Sequence, residues 1–291
     1  MGRRLKNFVL LILLLLGLSL FFYPLGADLW NRHTQSQAIR TLSSILEEIP
    51  EENLRPMWDA ATAYNQSLGQ NTFPADALGD SMSDLQDSNY NQLLNPQGSG
   101  IMGYISIPKI RQSIPIYHGA SKSVLQIAAG HIHGTALPVG GSGTHCVIAA
   151  HRGLPSARLF TDLDQLEPGD KFYLHILDQV LAYQVDQILP MVEKHDYVTL
   201  QSALQRIPGE DHVTLFTCTP YGINSHRLLV RGARTESLGE EDVPSQTSDS
   251  AQILRISSNF LLISELFALL SLAGILFRQH KKRINGKVDR P

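Results

Sequence analysis

One thiol, one imidazole and one guanidinium occupy positions in this sequence where they could act together. Cys218 closes a run of apolar and β-branched residues, and Arg227, nine positions later, opens another. His151 ends the run "HCVIAAH". A thiol is mostly protonated near pH 7, so a nucleophilic cysteine needs a base or a cation beside it. If the strands bring their ends together, His151 could supply the base and Arg227 could donate hydrogen bonds to an oxyanion.

Each of these residues also has a purely structural interpretation, because a cysteine in a strand is often a small buried side chain. The second cysteine, Cys146, lies inside an apolar run and is interpreted as a core residue. A disulfide to Cys218 remains the alternative, and it would block the thiol. His131 and His133 form an H-x-H pair, but no cysteine pair or carboxylate stands at zinc-ligand spacing. We therefore predict neither a metal nor a cofactor.

The elements that must position these residues are short strands. From residue 101 the sequence alternates β-branched and aromatic runs with Gly and Pro, giving about seven or eight strands up to residue 234. This pattern predicts a mainly β fold, either a single barrel or a sandwich. Before it, helical spacing of apolar residues predicts helices over 28–49 and 51–69. Residues 70–100 are polar and aperiodic, which indicates a functional or disordered loop.

Two uncharged or nearly uncharged apolar stretches flank this region. Residues 8–25 and 260–277 are each 18 residues long, enough for a helix of about 27 Å that spans a bilayer core. Basic residues lie on the terminal side of both stretches, so the positive-inside rule places both termini in the cytoplasm. A cleaved signal peptide is the alternative for the first stretch, and a buried core helix for the second.

Charge is distributed unevenly between these parts of the chain. Residues 26–259 carry 15 Lys and Arg against 25 Asp and Glu, a balance of −10, whereas the whole chain has a formal charge of −3. An acidic domain outside the membrane argues against nucleic acid as a partner.

Four segments of the sequence resemble one family, the sortases, which are membrane-anchored cysteine transpeptidases of Gram-positive bacteria. They are "TLFTCTPYGINSHRLLVRG" at 214–232, "AAHRG" at 149–153, "GYISIPKI" at 103–110 and "GHIHGTALPVGG" at 130–141. The likeness covers most of residues 101–234. Two apolar spans and a long segment before the barrel resemble the class C, pilus-assembling sortases in particular.

The resemblance implies an eight-stranded β-barrel and a role for each of three residues. Cys218 matches the nucleophile, His151 the general acid and base, and Arg227 the arginine that stabilises the oxyanion or the substrate. It also implies cleavage of an LPxTG-like sorting motif between Thr and Gly through a thioester. An amine then takes the acyl group, either a pilin lysine or a cell-wall precursor.

The sequence departs from the class C pattern before the barrel. Those sortases usually carry a lid with an Asp-Pro-aromatic motif, and residues 70–100 contain no such tripeptide. The nearest match is "GDSM", with Asp80 in the acidic place and Met82 in the place of the aromatic ring. Our hypothesis is that Asp80 pairs with Arg227 while Met82 covers Cys218. The alternative is a loose polar loop without a lid function.

The sequence therefore predicts a two-pass membrane enzyme whose catalytic barrel lies outside the cell. Two other functions remain open: a cysteine endopeptidase that only hydrolyses peptides or peptidoglycan stems, and a non-catalytic surface scaffold. The predicted divisions are a cytoplasmic tail (1–7), a transmembrane helix (8–25), a helical region (26–69), a linker or lid (70–100), the barrel (101–234), a tether (235–259), a transmembrane helix (260–277) and a basic cytoplasmic tail (278–291).

Overall fold

Eight strands form the body of the protein, which we describe from a computed structural model over residues 3–69, 88–96 and 98–236. They close into a barrel in the order β1-β2-β3-β4-β7-β8-β6-β5. The eight-stranded barrel expected from the resemblance is thereby confirmed. The strands are β1 (Ile101–Ile107), β2 (Gln112–His118), β3 (Ala129–His131), β4 (Thr144–Ala149), β5 (Lys171–Ile176), β6 (Gln179–Glu193), β7 (Asp211–Thr219) and β8 (His226–Arg234).

Five α-helices accompany these strands within the described residues. They are α1 (Arg3–Glu48), α2 (Glu51–Ser67), α3 (Ser88–Gln92), α4 (Lys122–Leu125) and α5 (Tyr197–Ala203). Pro50 separates α1 from α2, as the sequence predicts, because proline lacks the N–H that a continuing helix needs.

Two neighbouring strand pairs in the barrel are parallel, β2 with β3 and β4 with β7, and the other pairs are antiparallel. The β4–β7 register runs from Thr144 opposite Asp211 to Ala149 opposite Phe216. Parallel strands end at the same edge of a sheet, so the residues that follow β4 and those that close β7 share one end of the barrel.

The barrel interior is filled by apolar side chains from alternating strand positions, Ile105, Ile107 and Phe172 among them, all fully buried. Strand β1 also approaches β5 closely at Gly103. A Cβ atom at that position would lie 2.2 Å from the carbonyl oxygen of His175, so only glycine fits there.

Helix α1 joins two segments that the sequence predicts as separate, the apolar stretch and the helical region after it. It runs without a break from the apolar stretch 8–25 into the helical region, and the first residues buried along it are Gln35, Ile39 and Leu42. Within the described residues it is the one helix long and apolar enough to cross a membrane, and none of its apolar window is buried. The second apolar stretch, 260–277, lies outside the described residues, as do most of the tether and the basic tail.

Helix α2 is joined to the barrel by a buried amide. Asn65 donates from Nδ2 to the carbonyl oxygen of Leu137 (3.1 Å), and Leu137 donates its N–H to Oδ1 of Asn65 (2.7 Å). Losing this pair would leave two buried backbone groups unsatisfied, at about 1–3 kcal/mol each. The helical region is thus part of the packed domain.

The segment before β1 contains structure that its polar sequence does not predict. Tyr90, in the five-residue helix α3, is buried, and its hydroxyl donates to Nδ1 of His131 at 2.8 Å. The same hydroxyl accepts the N–H of Gly119 at 3.0 Å. Since a helix this short shows no periodicity, its composition alone indicated a loop.

Candidate active site

Cys218 and Arg227 face each other directly across the antiparallel β7–β8 pair. Opposed residues of such a pair project from the same face, with Cβ atoms about 4.5–5.5 Å apart. The guanidinium Nη1 of Arg227 donates to the carbonyl oxygens of Asn224 (3.3 Å) and His226 (3.1 Å), which holds it against the β7–β8 turn. Both side chains are half-buried, so they are open to a ligand without being free in solvent.

His151 lies at the same end of the barrel as Cys218, because the β4–β7 pairing continues one residue past the end of β4. Ala150 donates its N–H to the carbonyl oxygen of Phe216 at 3.2 Å. In return, Oγ1 of Thr217 donates to the carbonyl oxygen of Ala150 at 2.7 Å. His151 is the next residue of this segment, at the end of the barrel where Cys218 lies. All three residues predicted from the sequence therefore meet at one end of the barrel.

Arg152 links the strand end that carries His151 to the strand end that carries Cys218. Its Nη1 donates to Oγ1 of Thr219 (2.9 Å), and its Nε donates to the carbonyl oxygen of Thr161 (3.1 Å). Its Nη2 contacts the carboxylate of Asp164 at 2.5 Å, and the Arg152 side chain is only 10% exposed. Sequence reasoning missed Arg152, although it directly follows His151 in "AAHRG".

The β7–β8 turn also packs on the loop after His151. Gly153 has φ +82°, and a Cβ atom there would lie 3.2 Å from the ring of Tyr221. The positive φ favours glycine at this position, and a Cβ atom there would crowd the ring of Tyr221. The loop after His151 and the β7–β8 turn are therefore in contact at Gly153 and Tyr221, next to the bond of Arg152 with Thr219.

Burial and charge act in opposite directions on the thiol. Burial raises the pKa of Cys218 above its ordinary 9.0, while the positive charges of Arg227 and Lys194 act to lower it. Burial lowers the pKa of His151 below its ordinary 6.5. Both shifts favour a neutral thiol and a neutral imidazole near pH 7. Lys194, an exposed residue just after β6, is a second cation that sequence reasoning missed.

Two other residues considered from the sequence, Cys146 and His131, are buried in the core of the protein. Cys146 is free and buried, and burial raises the pKa of its thiol. His131 is fully buried, bonded through Nε2 to the carbonyl oxygen of Ala136 at 2.9 Å, and burial lowers its pKa to about 3. Within the described residues no group of three or more His, Cys, Asp or Glu could hold a metal ion. Asp80 and Met82 lie outside the described residues.

The opposing influences on the thiol lead to a testable expectation. Replacing Arg227 with alanine removes a positive charge that stabilises the thiolate, so the pKa of Cys218 should rise. The rate at which a small neutral thiol reagent alkylates Cys218 should then begin to increase at a higher pH in the variant than in the parent. Mass spectrometry of the Cys218 adduct across a pH series measures this rate. The matched control is Arg231→Ala on the same strand, because Arg231 forms an ion pair with Asp186 (Nη2 to Oδ2, 2.5 Å). An Arg227→Ala profile that overlays the parent would contradict this electrostatic account.

Sequence comparison identifies a family for the barrel. A model of the Sortase domain matches residues 105–235. Sortase SrtE1 of Streptomyces coelicolor is 32% identical over 169 residues, which cover 53% of this chain and 47% of that protein. The chain spans about half the length of the curated relatives it matches.

Solved structures give a fuller match. Sortase C of Streptococcus pneumoniae is 43% identical, with a TM-score of 0.60, covering 69% of this chain and 97% of that one. Sortase C1 of Streptococcus agalactiae is 41% identical, with a TM-score of 0.62, covering 69% of this chain and 99% of that one. On these matches, and on the barrel and site already described, the chain belongs to the sortase family and has class C sortases among its structural relatives.

Proposed function

We propose that this protein is a membrane-anchored cysteine transpeptidase that joins surface proteins, most specifically pilins, through a thioester on Cys218. The observation that carries the proposal is the direct pairing of Cys218 with Arg227, with His151 two residues after β4 at the same end of the barrel. The solved sortase C of S. pneumoniae is described in terms of catalysis and pilin substrate specificity, which supports a pilin substrate here.

In the first half of the reaction, the thiolate of Cys218 attacks the threonine carbonyl of an LPxTG-like motif. The developing oxyanion accepts hydrogen bonds from the guanidinium of Arg227, whose charge is permanent. Collapse of this intermediate breaks the Thr–Gly bond, and His151, as the imidazolium, gives its proton to the departing glycine amine. The products are a thioester on Cys218 and a free amino terminus.

In the second half, an amine takes the acyl group from the thioester. Neutral His151 accepts a proton from the attacking amine, and the new amide forms as the thiolate of Cys218 leaves. A pilin lysine or a cell-wall precursor supplies this amine, whereas water in its place would give hydrolysis. Holding enzyme and substrate on one membrane raises the effective concentration of the amine.

The resting protonation state bears on how this chemistry starts. Because burial raises the pKa of Cys218 and lowers that of His151, the thiolate–imidazolium pair is the minor form of the free enzyme at neutral pH. Arg227 and Lys194 increase the share of that form by stabilising the thiolate. A raised pKa also keeps the thiolate strongly nucleophilic once it forms.

The proposed location follows from α1 and from the charge pattern of the termini. The apolar part of α1 spans the membrane, with Arg3, Arg4 and Lys6 on the cytoplasmic side. Residues 260–277 form a second span, so that the barrel lies outside the cell and both termini lie in the cytoplasm. A single exposed apolar helix among the described residues supports the first span.

The proposal is tested by incubating the chain with LPxTG-type peptides, with and without an added amine acceptor. We expect a mass increment on Cys218 that matches the acyl fragment, and a ligated product when the amine is present. Cys218→Ala should remove both, while Cys146→Ala should keep them, because that thiol is buried away from the site.

The two rival functions give different results in the same experiment. Cleavage that stays purely hydrolytic at saturating amine would indicate an endopeptidase. No adduct and no cleavage, with lid variants included, would indicate a non-catalytic scaffold. A papain-like arrangement is disfavoured already, since Cys218 closes a strand rather than opening a helix.

Arg152 is proposed as a positioning residue in this reaction, because it joins the segments that carry His151 and Cys218. Arg152→Ala should lower kcat by about 10²-fold, as expected for a misplacement of about 1 Å, with little change in KM. Steady-state kinetics with the peptide substrate measures both. Arg158→Ala, an exposed arginine of the same loop paired with Asp162, is the matched control. Equal kcat values in the two variants, or a lower unfolding midpoint for R152A alone, would remove the positioning role.

A lid over the site completes the proposal, with Asp80 paired to Arg227 and Met82 covering Cys218. The double variant Asp80→Ala, Met82→Ala should then expose the thiol, and both its alkylation rate and peptide cleavage should increase. Asp84→Ala, an acidic residue of the same segment, serves as the control. Unchanged thiol accessibility and cleavage in the double variant would exclude the lid.

A further inference from the structure

Helix α1 contacts the barrel first at the catalytic end. Arg158 donates its N–H to Oδ1 of Asp28 at 2.9 Å, and Asn31 donates from Nδ2 to the carbonyl oxygen of Ser156 at 2.6 Å. Ser156 and Arg158 belong to the loop that begins at His151. The catalytic loop is therefore bound to the part of α1 that directly follows the apolar stretch.

The spacing along α1 sets how far this contact lies from the apolar stretch. Leu25 is the last residue of the stretch, and Asp28 follows three positions later in the same unbroken helix. At about 1.5 Å per residue, this is roughly 4.5 Å along the helix axis. If α1 spans a bilayer, the loop after His151 lies at the membrane surface.

A further contact of α1 lies at the same end, where Gln35 donates to the carbonyl oxygen of Ile127 at 2.6 Å, shortly before the start of β3, which pairs with the end of β4. The chain then runs to the opposite end of the barrel. At the far end, Arg206 donates to the carbonyl oxygens of Leu68 (2.9 Å) and Gly143 (2.7 Å), beside the start of β4. The catalytic end of the barrel is thus the end next to the apolar stretch of α1, and the starts of β4 and β7 form the distal end.

Exposed apolar side chains concentrate at the catalytic end. In the β7–β8 turn Tyr221 is 59% exposed and Ile223 70%, and at the start of α5 Val198 is 81% exposed. Ile127 and Met191 lie at the same end and are also exposed. Among the described residues beyond α1, Ile207 is the one large apolar side chain exposed at the distal end. We call the surface formed by residues 127, 191, 197–198 and 221–223 the apolar rim.

We propose that the apolar rim rests on the lipid surface, so that the mouth of the active site opens towards the membrane. This inference rests on the membrane anchoring proposed above. Trp30 on α1 is 72% exposed at the level of the contact with the catalytic loop, a position where indole rings favour the lipid–water boundary. Tyrosine and aliphatic side chains of the rim fit the same boundary. The contacts of α1 at Asp28 and Asn31, within six residues of the apolar stretch, hold the rim at that height.

The test uses the full chain reconstituted in vesicles of phosphatidylcholine and phosphatidylglycerol, with brominated acyl chains as the quencher. In a Trp30→Phe, Trp58→Phe background, Ile223→Trp places an indole in the rim, and Ile207→Trp places one at the distal end. We expect bromolipid to diminish the emission of I223W relative to unbrominated vesicles and to leave that of I207W unchanged.

A second measurement needs no substitution and covers the case in which the tryptophan variants fold poorly. Amide hydrogen exchange of the unmodified chain should slow over residues 221–224 in vesicles relative to detergent solution. Residues 207–210 should exchange equally in both. If residues 221–224 also exchange at the same rate in vesicles and in detergent solution, the proposal is overturned.

The outcomes separate this inference from the proposed function. A chain that fails to float with vesicles lacks the anchor, which refutes the anchoring itself. If the chain floats with vesicles but bromolipid does not reduce the emission of I223W, the proposed orientation is refuted and the anchoring is not. An indole that responds to an LPxTG peptide and not to bromolipid assigns the rim to peptide binding, which also overturns the orientation. Peptide transfer in detergent reports on the chemistry independently of all three.

Discussion

The parallel pairing of β4 with β7 is the constraint on which the candidate site depends. His151 and Cys218 are far apart in the sequence, and an antiparallel pairing would send the ends of their strands in opposite directions. Parallel pairing carries both ends to one edge, and the bonds of Ala150 and Thr217 extend the register beyond the strand itself. The antiparallel β7–β8 turn then returns the chain so that Arg227 faces Cys218.

Around this pairing, the site balances burial against charge. Half-burial protects the thiol and raises its pKa, and it also lowers the pKa of the imidazole, so the two groups are held mostly neutral. The opposing positive charges come from β8 and from the end of β6, at Arg227 and Lys194. A site of this kind holds the thiol mostly in its protonated, weakly nucleophilic form, while the two positive charges increase the share of the thiolate.

The helical region contributes orientation as well as stability. Helix α1 continues from an exposed apolar segment, past Pro24, into contacts with the catalytic loop, so that loop is held close to the end of the apolar segment. Asn65 and Arg206 attach the following helix at the far end of the barrel. Consequently α1 and α2 are bound to the barrel at both of its ends, and the catalytic end is the one next to the apolar segment.

The sequence by itself determined the strand-rich region and the apolar first stretch, and it predicted the three residues of the candidate site, because alternation, composition and motif spacing are local signals. It missed α3 and Tyr90, since one short helix leaves no periodicity, and it divided α1 at residue 25, where composition changes but the backbone does not. Only the tertiary structure decided that Arg152 bridges the two strand ends and that the catalytic end adjoins the apolar helix. Both depend on contacts between residues distant in the chain, and such contacts arise only when strand pairing and helix docking have fixed which ends meet.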